Sequence, residues 1–221
     1  MFRKDVLAKD VTLGDTLNKS IGKAFNFKNY GRVWVRSIAK IKIIEPGIVV
    51  FDPAVLNNFV ESNGIESNDL FDYFLNNEEI GISAIENGVL FPLYQIPEME
   101  YSIFLKGEGL KSSFNGAERA FCYSGIPLRV VSGLVVVADL NALMDWDSAF
   151  FIGYRNTYTE SLGNNDYLDV LSGLYALSIS GFKGLSGPFV SLGYELEFKL
   201  VESLPVLSSD ATTDDWDFCI D

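Results

Sequence analysis

Apolar and polar residues alternate along Val33 to Ile44 (VWVRSIAKIKII). Val33, Val35, Ile41 and Ile43 fall on one side and Trp34, Arg36, Lys40 and Lys42 on the other. A period of two over this length predicts a half-buried strand, with room for a bulge at Ser37 to Ala39. Glu45-Pro46-Gly47 predicts a turn, because Pro presets φ and the Gly after it bends freely. Ile48 to Phe51 is then expected to come back as a short buried strand, paired with the first in a hairpin. At Asp52-Pro53 the period changes. Asp supplies an N-cap and Pro suits the first helical turn. Val55, Leu56, Phe59 and Val60 come next at helical spacing, and Asn63-Gly64 is a stop signal. A second helix is predicted from Ser67 or Asn68 to Asn76, with Leu70, Phe71, Phe74 and Leu75 as its apolar face.

Strand patterns resume after it. Ile80 to Ile85 and Val89 to Ile96 flank Glu86-Asn87-Gly88, and Asn-Gly between apolar runs signals a tight hairpin turn. Tyr101 to Leu105, Glu118 to Tyr123, Leu128 to Val131, Leu134 to Ala138, Phe150 to Tyr158, Tyr175 to Gly181 and Phe189 to Val201 are further expected strands, with a short helix from Asn141. Tyr194 to Leu200 (YELEFKL) alternates cleanly, which predicts one wet sheet face. The class is therefore α+β: β-rich, mostly antiparallel sheets with two or three short helices. Residues 1 to 31 have no clean period. The glycine-bearing stretch Lys106 to Gly116 is the expected division between an N-terminal α+β region (1–107) and a C-terminal β-rich region (117–207). An acidic tail (208–221) ends the chain, and one compact domain is the alternative. Leu128 to Leu140 (LRVVSGLVVVADL) is echoed 40 residues on by Leu168 to Ser180 (LDVLSGLYALSIS), which suggests a strand, Ser-Gly corner, strand unit used twice.

Of the 221 residues, 48% are hydrophobic and 21% charged, enough apolar material for a real core without staples. Cys122 and Cys219 are expected as reduced thiols, with Cys122 a small core residue in its strand. No apolar h-region follows Met1 and no span of about 20 apolar residues occurs, so a cytoplasmic protein without a membrane segment is expected. Histidine is absent. That removes Ser-His and Cys-His nucleophile systems and every His-containing metal site. No CxxC pair exists, and no metal or cofactor is expected.

Charge is uneven. Residues 1–44 carry ten Lys/Arg against three Asp/Glu, and residues 45–221 carry seven against 27, so a segment of +7 precedes a body of −20 within a total of −13. The basic segment could serve an anion or pair with the acidic body, as in a homodimer. The body would repel a nucleic acid and suits a basic protein partner, since complementary fields speed association and disfavour wrong partners. An acidic surface kept for solubility alone is the plain alternative.

Two acidic clusters bear an aromatic. Asp145-Trp146-Asp147 reads first as a surface loop whose Trp146 packs inward. Paired carboxylates there could also assist a metal-dependent hydrolysis, although no calcium-loop spacing surrounds them. Asp214, Asp215, Trp216, Asp217 and Phe218 lie near the end of the chain. They read either as a solubilising tail or as a docking segment, with the aromatics as anchors and the carboxylates as charge complement. Gly181 to Gly187 (GFKGLSG) lacks the Lys-Ser/Thr ending and the helix of a phosphate loop and reads as a hairpin loop.

From Ser132 to Asp139 a Ser-Gly corner leads into an apolar strand ending Ala-Asp. Asp145 to Asp147 comes next, then an acidic strand into Ser-Gly-Leu-Tyr (Asp166 to Tyr175), then a closing alternating strand. This order resembles bacterial polymorphic-toxin immunity proteins and nuclease inhibitors over about a third of the chain. The resemblance implies a non-enzymatic inhibitor, an immunity-type antitoxin covering the active surface of a basic toxin, a nuclease being one candidate. The competing readings are a self-assembling structural protein of a phage or secretion system, and a carboxylate-dependent hydrolase.

Overall fold

In the computed structural model the described residues are 36–109, 111–157, 162–207 and 216–220. All belong to one compact unit, 35–221. The α+β class holds: among the described residues nine strands form two sheets, and five α-helices cover one of them. The strands are β1 (Ile38–Lys42), β2 (Gly47–Phe51), β3 (Leu90–Tyr94), β4 (Glu100–Leu105), β5 (Glu118–Val130), β6 (Leu134–Asp139), β7 (Asn165–Asp169), β8 (Gly173–Lys183) and β9 (Leu192–Val201). The helices are α1 (Pro53–Ser62), α2 (Leu70–Asn76), α3 (Glu78–Glu86), α4 (Asn141–Met144) and α5 (Ser148–Thr157).

Sheet A has the order β1-β4-β9-β8-β5 and sheet B the order β3-β2-β6-β7. All pairs are antiparallel except β4 with β9, which is parallel. Strands from both sides of Lys106–Gly116 stand in each sheet. The inner faces of the sheets share a core that includes Ile41, Val50, Phe91, Ile103, Leu128, Val137, Leu177 and Leu196. The other face of sheet B packs against the helices through Val49, Phe51, Leu56, Leu70, Val136, Phe151 and Tyr154. Hence β2 and β6, buried on both faces, are near-continuous apolar runs, GIVVF and LVVVAD. A smaller cluster of Phe104, Leu185 and Phe189 lies apart from both cores, with Phe114 packed against it.

Several local expectations change. β1 and β2 do not form a hairpin: β1 pairs with β4, and β2 with β3 and β6. The turn at Glu45–Gly47 carries the chain from one sheet to the other, and the carboxylate of buried Asp139 accepts the N–H groups of Ile44 and Glu45 there. Residues 80–85 are helical, not a strand. Asn87-Gly88 ends that helix: Gly88, at φ +65°, gives its N–H to Ile85 at 2.9 Å, and Val89 gives its N–H to Ala84 at 2.9 Å. This is a Schellman C-cap rather than a hairpin turn. Residues 150–157 belong to α5, whose N-cap is Asp147, accepting the Phe150 N–H at 3.0 Å. The two strands expected within 118–131 are one strand with irregular register around Arg119/Phe121 and Ser124/Ile126. Cys122 is exposed on it rather than in the core.

The echoed Ser-Gly units stand at the two adjacent corners where the chain changes sheets. Ser132-Gly133 joins β5 to β6 and Ser172-Gly173 joins β7 to β8. The Ser172 hydroxyl donates to Val131 O at 2.8 Å.

Candidate functional site

The helical layer is built on sheet B. Asp52 caps α1 and is wholly buried. One oxygen accepts the N–H groups of Ala54 and Val55, and the other accepts those of Val131 and Ser132 and the Ser132 hydroxyl. A buried carboxylate with this many donors fixes where α1 starts. Gly64, at φ +62°, ends α1. Asp69 caps α2 through the Asp72 N–H, and Asn77 joins α2 to α3 while its side chain donates to Tyr73 O at 2.8 Å. The Trp146 N–H donates to Asn68 O at 2.8 Å, which ties the Asp145–Asp147 cluster to the start of α2.

The consequence is electrostatic. No Lys or Arg occurs from Ile43 to Leu105. Glu61, Glu66, Asp72, Glu78, Glu79, Glu86, Asp145 and Asp147 are all exposed on or beside these helices. Among the described residues the one cation of this layer, Arg155, is ion-paired with Asp169 and donates to Gly133 O. The remaining described Lys and Arg residues lie on sheet A or its connections. Among the described residues, therefore, carboxylates unmatched by Lys or Arg gather on the helical layer, whereas those of sheet A, such as Glu118 and Glu197, stand beside cations.

Of the residues singled out from sequence, Asp145 and Asp147 are exposed, with Trp146 packed between Phe51 and Phe151 at 5.8 and 5.4 Å. Asp214 and Asp215 lie outside the described residues. Trp216 stacks on Tyr123 at 5.1 Å, and Phe218 is 1% exposed in the core between the sheets, its carbonyl accepting the Tyr194 hydroxyl at 2.9 Å. Asp217 is exposed. Trp146 and Trp216 belong to different cores, so the two clusters do not form one site. Sequence reasoning missed the acidity of α1 to α3. The signal was the cation-free stretch from 43 to 105.

Sheet A carries a smaller polar group. Lys106 donates to Glu197 at 2.6 Å, and this bond raises the Lys106 pKa. Half-buried Glu195 is pushed above the ordinary carboxylate range, chiefly by loss of hydration, and Tyr175 is raised by burial. Among the described residues no group of three His, Cys, Asp or Glu is placed to hold a metal ion, and no helix is long and apolar enough to cross a membrane.

No protein-family model matches this chain, and no curated protein matches it. Among solved structures it is similar to ComJ of Bacillus subtilis, described as an inhibitor of the DNA-degrading activity of NucA. That likeness has 12% identity and a TM-score of 0.39 and covers 76% of this chain and 100% of the other. Likeness at this level carries no functional inference.

Proposed function

We propose that this chain is a non-catalytic protein inhibitor of the immunity type, which neutralises a basic partner by covering its active surface. The observation that carries the reading is the acidic helical layer, whose one cation among the described residues, Arg155, is held by Asp169. Among the described residues its exposed carboxylates have no cation paired with them, and such a layer projects a field of one sign that attracts a basic surface and repels an acidic one. A nuclease or other toxin whose surface holds phosphate presents such a basic face. Asp145 and Asp147 belong to this contact. Asp214, Asp215 and Asp217, beside Trp216 and Phe218, would supply a second.

The test is recovery of the partner from a lysate of the source organism on tagged protein, then affinity and activity measurements. We expect stoichiometric suppression of the partner's activity, and affinity falling more than about tenfold between roughly 50 and 300 mM salt. Salt-independent binding, or a partner left fully active, would overturn the reading.

A second reading, self-association, is favoured by Val131, Leu171 and Leu200. All three are exposed around the two Ser-Gly corners, beside a shallow depression of about 350 Å³ lined by Arg129, Val131 and Ser172. Light scattering at high concentration decides it: a monomer excludes a homodimer through this end.

A further inference from the structure

We infer that the hairpin of α2 and α3 is the part of the acidic layer that enters the partner's basic groove, with Leu75 and Ile82 as its apolar anchors. The inference rests on the inhibitor reading and adds where, and by what chemistry, contact is made. Leu70 and Ala84 face the core, and Phe74, Ile80 and Ile85 are packed partly against it. Leu75 and Ile82 take no such part: they are 67% and 48% exposed. Single exposed apolar residues are ordinary. Here two stand on adjoining helices, and the junction between them carries Glu78 and Glu79 beside a shallow depression of about 310 Å³ lined by residues 77–80.

Apolar anchors within a charged rim reproduce the anatomy of a protein interface, in which desolvated centres supply affinity and the rim supplies steering. The occupant that fits is a protein groove rich in Lys and Arg, because every charge on this hairpin is negative. The hairpin is also built to stay in shape. Asn77 bonds Tyr73 O through both its backbone and its side chain, and the Ile80 and Gly81 N–H groups donate back to Asn77 O at 2.9 and 3.1 Å. Gly81 lies against Phe74, where a Cβ would come within 3.1 Å of its carbonyl. A rigid element loses little entropy on docking.

The experiment places a photo-reactive benzoylphenylalanine singly at Leu75, at Ile82 and, as a control on sheet A, at exposed Leu200 in the full chain. Each is irradiated in lysate of the source organism, and the cross-linked peptides are sequenced. We expect positions 75 and 82 to capture Lys- and Arg-rich peptides of one protein that position 200 does not. For that purified protein, L75S/I82S should weaken binding at least tenfold with an unchanged unfolding midpoint, and E78Q/E79Q should mainly slow association and flatten its salt dependence. Capture of a basic protein from position 200 alone would overturn this location and leave the inhibitor reading standing. Capture of a second copy of this chain from 75 or 82 would overturn it in favour of self-association. Absence of any basic protein at all three positions would overturn both.

Discussion

Ser132 gives both its backbone N–H, at 2.7 Å, and its hydroxyl, at 2.9 Å, to one carboxylate oxygen of Asp52. The other oxygen caps α1. One buried side chain thus locks the start of the helical layer to the corner between sheets A and B. Replacing Asp52 by Ala leaves several buried N–H groups without an acceptor, and the expected loss is about 3 kcal/mol. Ser132→Ala removes one bond of the set and should cost about 1 kcal/mol. Urea unfolding measures both. Equal effects, or none, would mean that the carboxylate is not the organising group.

Sheet A ends at β1, whose outward N–H groups would be open to another strand. Four along this edge are already taken. The Arg36 N–H goes to Asp169 at 2.7 Å, that of Lys40 to Asp166 at 2.9 Å, that of Lys42 to Gly163 O at 2.7 Å and that of Ile44 to Asp139. Arg36 also pairs with the second Asp166 oxygen at 2.6 Å. Asp166→Ala should cost about 2 kcal/mol, speed hydrogen exchange at Lys40 and introduce concentration-dependent association. Unaltered exchange at Lys40 would count against the edge-capping role.

The segment 216–220 is tied down by aromatic packing. Phe218 meets Phe91, Phe121 and Tyr123, and Ile220 is buried against Gly181, where any side chain would collide with it. Phe218→Ala should destabilise by about 4 kcal/mol and erase the near-ultraviolet circular dichroism of the Trp216–Tyr123 stack. A fully retained signal and midpoint would show that the segment is not part of the core.

Glu195 has a raised pKa because burial disfavours its charged form. A carboxyl that holds its proton more tightly when folded makes the fold less stable as pH rises from the ordinary Glu range through the raised value. Glu195→Gln should therefore raise the unfolding temperature at pH 7.5, and the gain should shrink towards pH 4. Loss of stability at pH 7.5 would show instead that attraction to Lys106 outweighs the dehydration.

The sequence made the class, the first two helices and most strands legible, because each was carried by periodicity or capping within a short window. Ile80, Ile82 and Ile85 show the limit. Ile80 and Ile82 are two apart and β-branched, as in a strand, yet the helix buries Ala84, partly buries Ile80 and Ile85 and leaves Ile82 outside. Asn87-Gly88 fits both a hairpin turn and a helix C-cap. The bonds to Ala84 and Ile85 mark it as a cap, and Gly88 also packs against Leu128 and Arg129, 40 residues on, a contact no local window reveals. Likewise Asp147-Ser148-Ala149-Phe150 is a capping pattern hidden within what reads as an acidic pair before an aromatic strand. Trp146 is readable as a core residue from its chemistry. The place of Phe218 is not, because its partners come from β3, β5 and β9.

The position of β9 bears on synthesis. It lies between β4 and β8, made about 90 and 10 residues earlier, and Phe218 fills the core behind it. Translation must pass residue 220 before either sheet is backed by a complete interior. Until residue 201 is made the nascent chain presents an open β4 edge, and until residue 220 the core between the sheets lacks Phe218 and Ile220, an interval in which bare edges and apolar faces favour misassociation.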